Sequence, residues 1–335
     1  MKAVFLVNNV RALQPQMTTT LLALTMANEG HSTWLTDVTS LSMRQDGLIT
    51  ASAHAVRSAP ATGQTAIADV LSEEASMVVL NEVELLWLRV NPARDPRKQV
   101  QQTALELARL LEDRGVFVVN RASGLTRAGS KIYLHRVAPE FRPATLVTRS
   151  RAEALDFLES CPDRQGVIKP VVGTRGRGVF FARCDDPNLD ALLETAFNDD
   201  YAMLQSYVPE AVGGDSRVVV LMGKPMELDG RAFVVDRVPA PGSFRSNVHT
   251  GGWARPGVLT DRMRACIESF GAALCDDGLY LVGLDFAGDK VLEVNVFSSG
   301  GFYDAELGLE RPFLRVCAEE IVKVAQLSRS EIRCK

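Results

Sequence analysis

The first 35 residues constrain the fold most. Ala3–Val7 is a compact run of β-branched and aromatic residues, and Met17–Asn28 reads as a helix closed by Gly30. Ser32–Leu35 is extended again, and this strand–helix–strand start implies a parallel sheet with helices packed on it. Residues 51–65, rich in Ala, Ser, Gly and Pro, read as an irregular excursion, after which Met77–Leu80 and Leu85–Val90 return to strand character. Gln99–Arg114 is the clearest helix. Its Val100, Ala104, Leu107, Ala108 and Leu111 form one apolar stripe, and Gly115 closes it before a strand at Val116–Asn120. The first ~120 residues therefore read as one α/β unit of ordinary domain size.

From about Lys131 strands and helices stop alternating. Arg151–Ser160 and Leu189–Phe197 read as helices, whereas Gly166–Pro170, Val179–Ala182, Met203–Val208 and Arg231–Val238 read as strands. The remainder is strand-rich through Phe297 and closes on a helix at Leu314–Ala325, so this part is α+β with antiparallel pairing. At 335 residues, 46% apolar and 23% charged, the chain has room for about two domains at roughly 150 residues each. Its net charge of −4 argues against an extended nucleic-acid face and leaves room for a local basic pocket. Six scattered cysteines with no C-x-x-C, and only four histidines, offer no zinc spacing and suit a reducing compartment. The N-terminus lacks a signal peptide and no stretch could span a bilayer, so a soluble, cytoplasmic protein that binds no membrane is expected.

Three segments could carry chemistry. In VGLDFAGDKVLEVNVF, two strand-like runs flank a turn. A three-residue loop at Gly288–Lys290 sets Ala287 opposite Val291 and Asp285 opposite Glu293, and alternation puts Asn295 on the same face. Three oxygen donors, two of them anionic, then share a patch of the kind Mg²⁺ favours. A two-residue loop would shift the register by one and turn Asp285 away, and a solvated polar hairpin face is the plain alternative. In GVIKPVVGTRGRGVFF, Lys169 ends a strand before Gly173, Gly176 and Gly178, interspersed with Thr174, Arg175 and Arg177. Glycines let backbone approach a phosphate and the basic side chains supply positive potential. Neither standard nucleotide fingerprint is matched, and a flexible loop with solvated arginines is the better account of the string taken alone. The third segment, Pro239–Gly257, is long enough for a functional lid and holds Phe244, Arg245, Asn247, His249 and Trp253. His249 has no nucleophile motif beside it and reads as a surface histidine.

The order of these features resembles the ATP-grasp superfamily, and over nearly the whole chain it resembles prokaryotic glutathione synthetase. The resemblance is carried in sequence by LLWLRVNP, VVNRASGL, PATLVTR, GVIKPVVGTRGRGVF, MLQSYVPEA with GDSRVVV, DRVPAPGSFRSN, the pair Gly251–Gly252, LYLVGLDF and LEVNVFS. It implies an N-terminal α/β domain (1–125) before an ATP-grasp fold, with a lid subdomain (126–205) and a metal-bearing catalytic subdomain (206–335). Lys131 and Lys169 match the lysines that reach the ATP phosphates, and Gly173, Thr174, Arg175 and Gly176 lie in the glycine loop that closes over them. Gln205, Tyr207 and Val208 match the hinge around adenine, and Asp215 the acidic position near the ribose. Asp285, Glu293 and Asn295 match the magnesium ligands. Arg217, Arg237, Arg245 and Asn247 match positions around an acyl phosphate and under the mobile loop.

The implied chemistry is ATP-dependent joining of a carboxylate to an amine through an acyl phosphate, with two Mg²⁺ ions (or Mn²⁺) and a homo-oligomeric state. γ-Glutamylcysteine and glycine are the first candidate substrates. The sequence departs from the family at Asn91, at Val172 and at Ser298-Ser299-Gly300-Gly301, where substrates would lie. A relative recruited to another small peptide or amide, or to ring closure of an amino-acid derivative, is therefore the second expectation. A catalytically silent nucleotide sensor or scaffold is the third, and the intact lysines and metal residues speak against it.

Overall fold

The computed structural model describes residues 1–72, 74–173, 176–198, 200–240, 252–303 and 312–333, with side chains described to residue 328. Strand β1 (Lys2–Val7) turns Val4 and Leu6 to one face and Ala3, Phe5 and Val7 to the other, and all five are buried. Both faces are apolar because both are covered, as a central parallel strand demands. β1 pairs in parallel with β2 (Ser32–Asp37) and β6 (Leu85–Arg89), and β6 with β7 (Phe117–Val119). Helix α1 (Thr18–Asn28) packs on one face, and α3 (Lys98–Asp113) on the other through Ala104, Ala108 and Leu111. Gln101 lies buried on that same helix face, its amide committed to Asp95 and Asn8.

The expected irregular excursion is partly a strand. β4 (Ile49–Ala55) pairs antiparallel with β2, with β3 (Leu41–Met43) and with β5 (Ser76–Val79). Ile49, Ala51 and Ala53 are fully buried, so packing selects the strand where Ala and Ser propensity argues against it. The sheet is thus mixed, ordered β3–β4–β2–β1–β6–β7 with β5 on β4, and parallel only across β2–β1–β6–β7. The short helices α2 (Ile67–Val70) and α4 (Ala122–Arg127) fill its connections.

A second, four-stranded antiparallel sheet has the order β10 (Phe180–Arg183), β9 (Gln165–Pro170), β11 (Ala202–Ser206), β8 (Thr145–Thr148). Helices α5 (Arg151–Ser160) and α6 (Leu189–Phe197) cover it, and it has its own small core around Leu158, Ile168, Leu193 and Leu204.

A third, six-stranded antiparallel sheet has the order β17 (Trp253–Pro256), β16 (Val234–Val238), β12 (Asp215–Leu221), β18 (Leu281–Ala287), β19 (Lys290–Asn295), with β13 (Lys224–Pro225) on β12. The single strand expected over 231–238 is broken. Phe233 turns its N–H to the Met226 carbonyl and its carbonyl to the Val219 N–H, which splits off a ribbon of β14 (Glu227–Leu228) and β15 (Arg231–Ala232). Helix α7 (Asp261–Asp276) crosses this sheet closely: a Cβ on Gly271 would lie 1.9 Å from the Gly223 carbonyl oxygen. The closing helix α8 (Phe313–Arg333) packs against α1. The apolar cores of the first and third sheets are continuous, Val4 and Leu6 joining Val282 and Leu284, whereas that of the second sheet is separate. Among the described residues no helix is long and apolar enough to cross a membrane.

Candidate active site

The third sheet assembles the candidate residues through its register. Arg217 on β12 lies opposite Asp285 on β18, Asp285 opposite Glu293 on β19, and Gly283 opposite Asn295. Asp215 lies opposite Arg237 on β16. With side chains alternating at a period of two, these positions share one sheet face.

The hairpin reaches the expected pairing by another route. Its turn holds two residues, Gly288 and Asp289, with Ala287 opposite Lys290. Gly288 has φ +53°, which a two-residue hairpin commonly asks of its first turn residue. That turn alone would displace the register by one. A bulge beside Asp285 and Phe286 restores it: Phe286 faces Val291, Asp285 faces Glu293, and Leu292 is the extra residue. The Leu292 carbonyl accepts a hydrogen bond from Lys169 Nζ at 3.3 Å, which ties β9 of the second sheet to the bulge. Nothing in the sequence announces the bulge, since Leu292 continues an ordinary apolar run.

Asp285 is 4% exposed and heavily coordinated. It accepts Arg217 Nε at 2.6 Å and Nη2 at 2.7 Å, Arg237 Nη2 at 2.8 Å and Asn295 Nδ2 at 3.0 Å. Burial alone would raise its pKa, but the two guanidiniums outweigh burial and hold the carboxyl well below the usual carboxylate range. Arg237 Nε also donates to Asp215 at 2.5 Å. Glu293 is more open, with Lys131 Nζ 3.9 Å from its carboxylate, and Lys131 also donates to the Gly173 carbonyl at 3.1 Å. The described part of the glycine loop thus hangs directly over the lysine. Gly176 and Gly178 take φ of +68° and +70°, a region costly for other residues.

Gln205 and Lys169 lie on one face of the second sheet, since Lys169 pairs with Met203 two residues before Gln205. Gln205 Nε2 donates to Thr145 Oγ1 at 3.2 Å, and Tyr207 packs edge-on against Phe181 at 5.0 Å. Val208 is buried where the chain leaves β11 for the third sheet. Thr174, Arg175, Arg245, Asn247 and His249 lie outside the described residues. One buried cation falls outside the expected set: Arg89, which closes β6 and is 7% exposed. Its signal is a lone charge inside the apolar run LLWLRV.

Lys169 is buried, which pushes its ammonium down to about 8, with Lys131 acting the same way and Glu293 and Asp285 opposing. Burial also lowers Lys131. A neutral amine cannot pair with phosphate, so ATP affinity measured by titration calorimetry should weaken about tenfold per pH unit above about pH 8. Lys169→Gln should bind ATP weakly at every pH and lose that slope; an unchanged slope would remove Lys169 from the phosphate site. Folding responds with the opposite sign. Between about pH 8 and 10.5 the unfolded chain holds a proton that folded Lys169 lacks, so this group's contribution to stability rises with pH.

The three-part arrangement, with the Asp285 and Glu293 hairpin facing two lysines and a glycine loop beside a separate four-stranded sheet, is the ATP-grasp fold. Two solved structures share it: D-cycloserine synthetase DcsG (TM-score 0.60, 16% identity, covering 95% of this chain and 99% of that one), and the ATP-grasp ligase PsnB complexed with a phosphomimetic variant of its minimal precursor, Mg and ADP (TM-score 0.63, 13% identity, 96% and 98%). Residues 1–126 match the N-terminal domain of prokaryotic glutathione synthetase, and residues 130–307 match its ATP-grasp domain. The glutathione synthetase of Gloeobacter violaceus is 32% identical over 316 residues, 92% of each chain. The chain belongs to the prokaryotic glutathione synthetase family and is an ATP-dependent ligase.

The family binds ATP with a divalent cation, and the donor set here suits one. Asn295 directs Nδ2 to Asp285, which leaves Oδ1 free to join the carboxylates of Asp285 and Glu293. Oxygen-only ligation fits Mg²⁺. No cluster of three His, Cys, Asp or Glu occurs among the described residues, so two carboxylates and an amide are the available set.

Proposed function

We propose that the protein joins the carboxylate of γ-glutamylcysteine to the amine of glycine, with release of ADP. The observation that carries this reading is the convergence of Lys131 and Lys169 with Asp285, Glu293 and Asn295 on one sheet face. Family membership and the 32% identity to a named glutathione synthetase support it. The two lysines would neutralise phosphate charge, and Gly173–Gly178 would bring backbone N–H groups against it. Mg²⁺, as two ions held by Asp285, Glu293 and Asn295 or replaced by Mn²⁺, would offset triphosphate charge.

The substrate carboxylate attacks the γ-phosphate to give an acyl phosphate, and the amine then displaces phosphate from the activated carbonyl. Arg217 commits Nε and Nη2 to Asp285, and Arg237 commits Nε to Asp215 and Nη2 to Asp285, so Nη1 of each would meet the acyl-phosphate oxygens. Positioning and charge supply the catalysis, so no nucleophilic side chain is called for. Asp215 near the ribose, Gln205, Tyr207 and Val208 around adenine, Thr174 and Arg175 on the loop, and Arg245 and Asn247 under the lid complete the proposed site. The same reading takes residues 1–125, 126–205 and 206–335 as the three structural units, and the protein as a cytoplasmic homo-oligomer.

A second reading, ligation of a different peptide or amino-acid derivative, is favoured by Ser298-Ser299-Gly300-Gly301, where the family typically carries a Ser-Pro-Thr turn. The structural neighbours include a D-cycloserine synthetase and an ATP-grasp ligase complexed with a precursor peptide, which fits that reading. ADP release across pairs of carboxylates and amines separates the two. Release with γ-glutamylcysteine plus glycine alone is the expected result; none with that pair, and release with another, would overturn the substrate assignment.

A further inference from the structure

Helix α7 is followed by a residue that its position disfavours. Asp277 stands directly after the helix, beside the exposed Asp276, where the carbonyl end of the dipole attracts cations and repels a carboxylate. Its side chain is only 3% exposed, so burial adds to the cost. The groups that offset both come from another segment. Tyr133 Oη donates to Asp277 Oδ2 at 2.6 Å, Arg127 Nη1 donates to Oδ1, and Arg136 Nη2 stands 3.7 Å from Oδ2. The two guanidiniums are more than half exposed and water can satisfy them, whereas the buried carboxylate depends on its partners.

Those partners bracket Lys131, which lies four residues after Arg127 and two before Tyr133. Lys131 opens a six-residue 3-10 turn, Lys131–Arg136. Such turns hydrogen-bond poorly within themselves and seldom run past four residues, so this one leans on outside contacts. Close backbone packing marks the same docking point. A Cβ on Gly124 would lie 2.0 Å from the Asp277 carbonyl oxygen, and one on Gly278 would lie 2.5 Å from Arg121 Cδ. The Arg121 N–H also donates to the Gly278 carbonyl at 2.9 Å. Asp277 and Gly278 thus form a socket for residues 121–136, just before the chain enters β18 with Asp285. From the second sheet Lys131 is held by its N–H, which donates to the Val171 carbonyl at 2.8 Å. Pinned between the two, its ammonium reaches the Gly173 carbonyl on one side and Glu293 on the other.

We propose that Asp277 is a positioning residue for nucleotide binding, which sets Lys131 against the phosphates by holding the chain on both sides of it. Tyr133 is its most direct link to the lysine. The assignment deepens the reading of Lys131 as a phosphate ligand. Asp277 itself touches no substrate and acts through that side chain.

The test is a double-mutant cycle on ATP affinity, measured by titration calorimetry on the full-length protein. Neither acyl substrate nor amine is present, so the outcome does not depend on which peptide is ligated. Lys131→Met should bind ATP about 10- to 100-fold more weakly, the range of a charge-assisted hydrogen bond. Tyr133→Phe removes one hydroxyl and keeps the ring against Phe270, and should weaken ATP about 3- to 10-fold. Asp277→Asn should do at least as much, because both guanidinium links lose their charge partner. In the Lys131→Met background neither change should weaken ATP further, since the group they position is gone. Adenosine, which offers no phosphate, should bind every variant alike.

A merely structural role gives another pattern, in which ATP and adenosine weaken together and the losses add to that of Lys131→Met. Tyr133→Phe carries the test if Asp277→Asn fails to fold. Additive losses, equal losses for adenosine, or no loss in Tyr133→Phe overturn the positioning role and leave Lys131 at the phosphates. Undiminished ATP affinity in Lys131→Met overturns the reading of Lys131 and the proposal with it.

Discussion

Glu293→Gln is expected to lower steady-state ligation at saturating ATP and Mg²⁺ by about 100-fold or more, some 3 kcal/mol of transition-state stabilisation at 1.36 kcal/mol per tenfold. The substitution keeps size and shape and removes one of two anionic oxygen donors. Glu293 is about one-third exposed and among the described residues pairs with Lys131 alone, at 3.9 Å, so little of the described fold depends on it. Urea unfolding of the variant should match the native chain within about 0.5 kcal/mol. Activity that survives at saturating Mg²⁺ would overturn the metal assignment.

Asp285→Asn, one strand away, should behave differently. Asp285 is buried and neutralises two guanidiniums that are themselves mostly buried, Arg217 and Arg237. Removing one partner of such a cluster leaves charge stranded in a low-dielectric interior, a loss of about 3–5 kcal/mol. Asp215 still pairs with Arg237 and places the expectation at the lower end of that range. The variant should lose turnover and stability together, seen as a lower urea midpoint with an unchanged slope. An Asp285→Asn protein as stable as the native chain would show that the arginines find other partners. Two carboxylates directly opposite each other in one hairpin therefore separate by consequence, because one faces Lys131 and the other anchors the sheet.

Much of this was legible from pattern. The apolar stripe of Gln99–Arg114 and the alternation in VGLDF and LEVNV report burial, and burial is what the folded chain realises. Asp285, Glu293 and Asn295 stand out by strand alternation and Lys169 by the glycine loop that follows it, whereas Lys131, Arg217 and Arg237 are reached only through the family resemblance. What pattern could not supply was pairing. β4 carries Ala and Ser where propensity argues for a loop, and only its contacts with β2, β3 and β5 make it a strand. Likewise, the interruption at Phe233 depends on Met226 and Val219 being in reach. Arg89 reads as one more strand-end arginine until the fold sets it against Thr19 Oγ1 and the Ser299 carbonyl, a property of the assembled interface between the first sheet and the loop after β19.

The hairpin carrying Asp285 and Glu293 contains two departures from the simplest geometry, a turn one residue short and a bulge one residue long. They act as compensating frameshifts. Either one alone would send Glu293 and Asn295 to the opposite face of the sheet, while both together restore the phase within two residues. The conserved quantity is then the parity of the segment between Asp285 and Glu293, and the turn length is free to vary with the bulge. Trading a residue of turn for a residue of bulge would keep Glu293 and Asn295 on the face that carries Asp285.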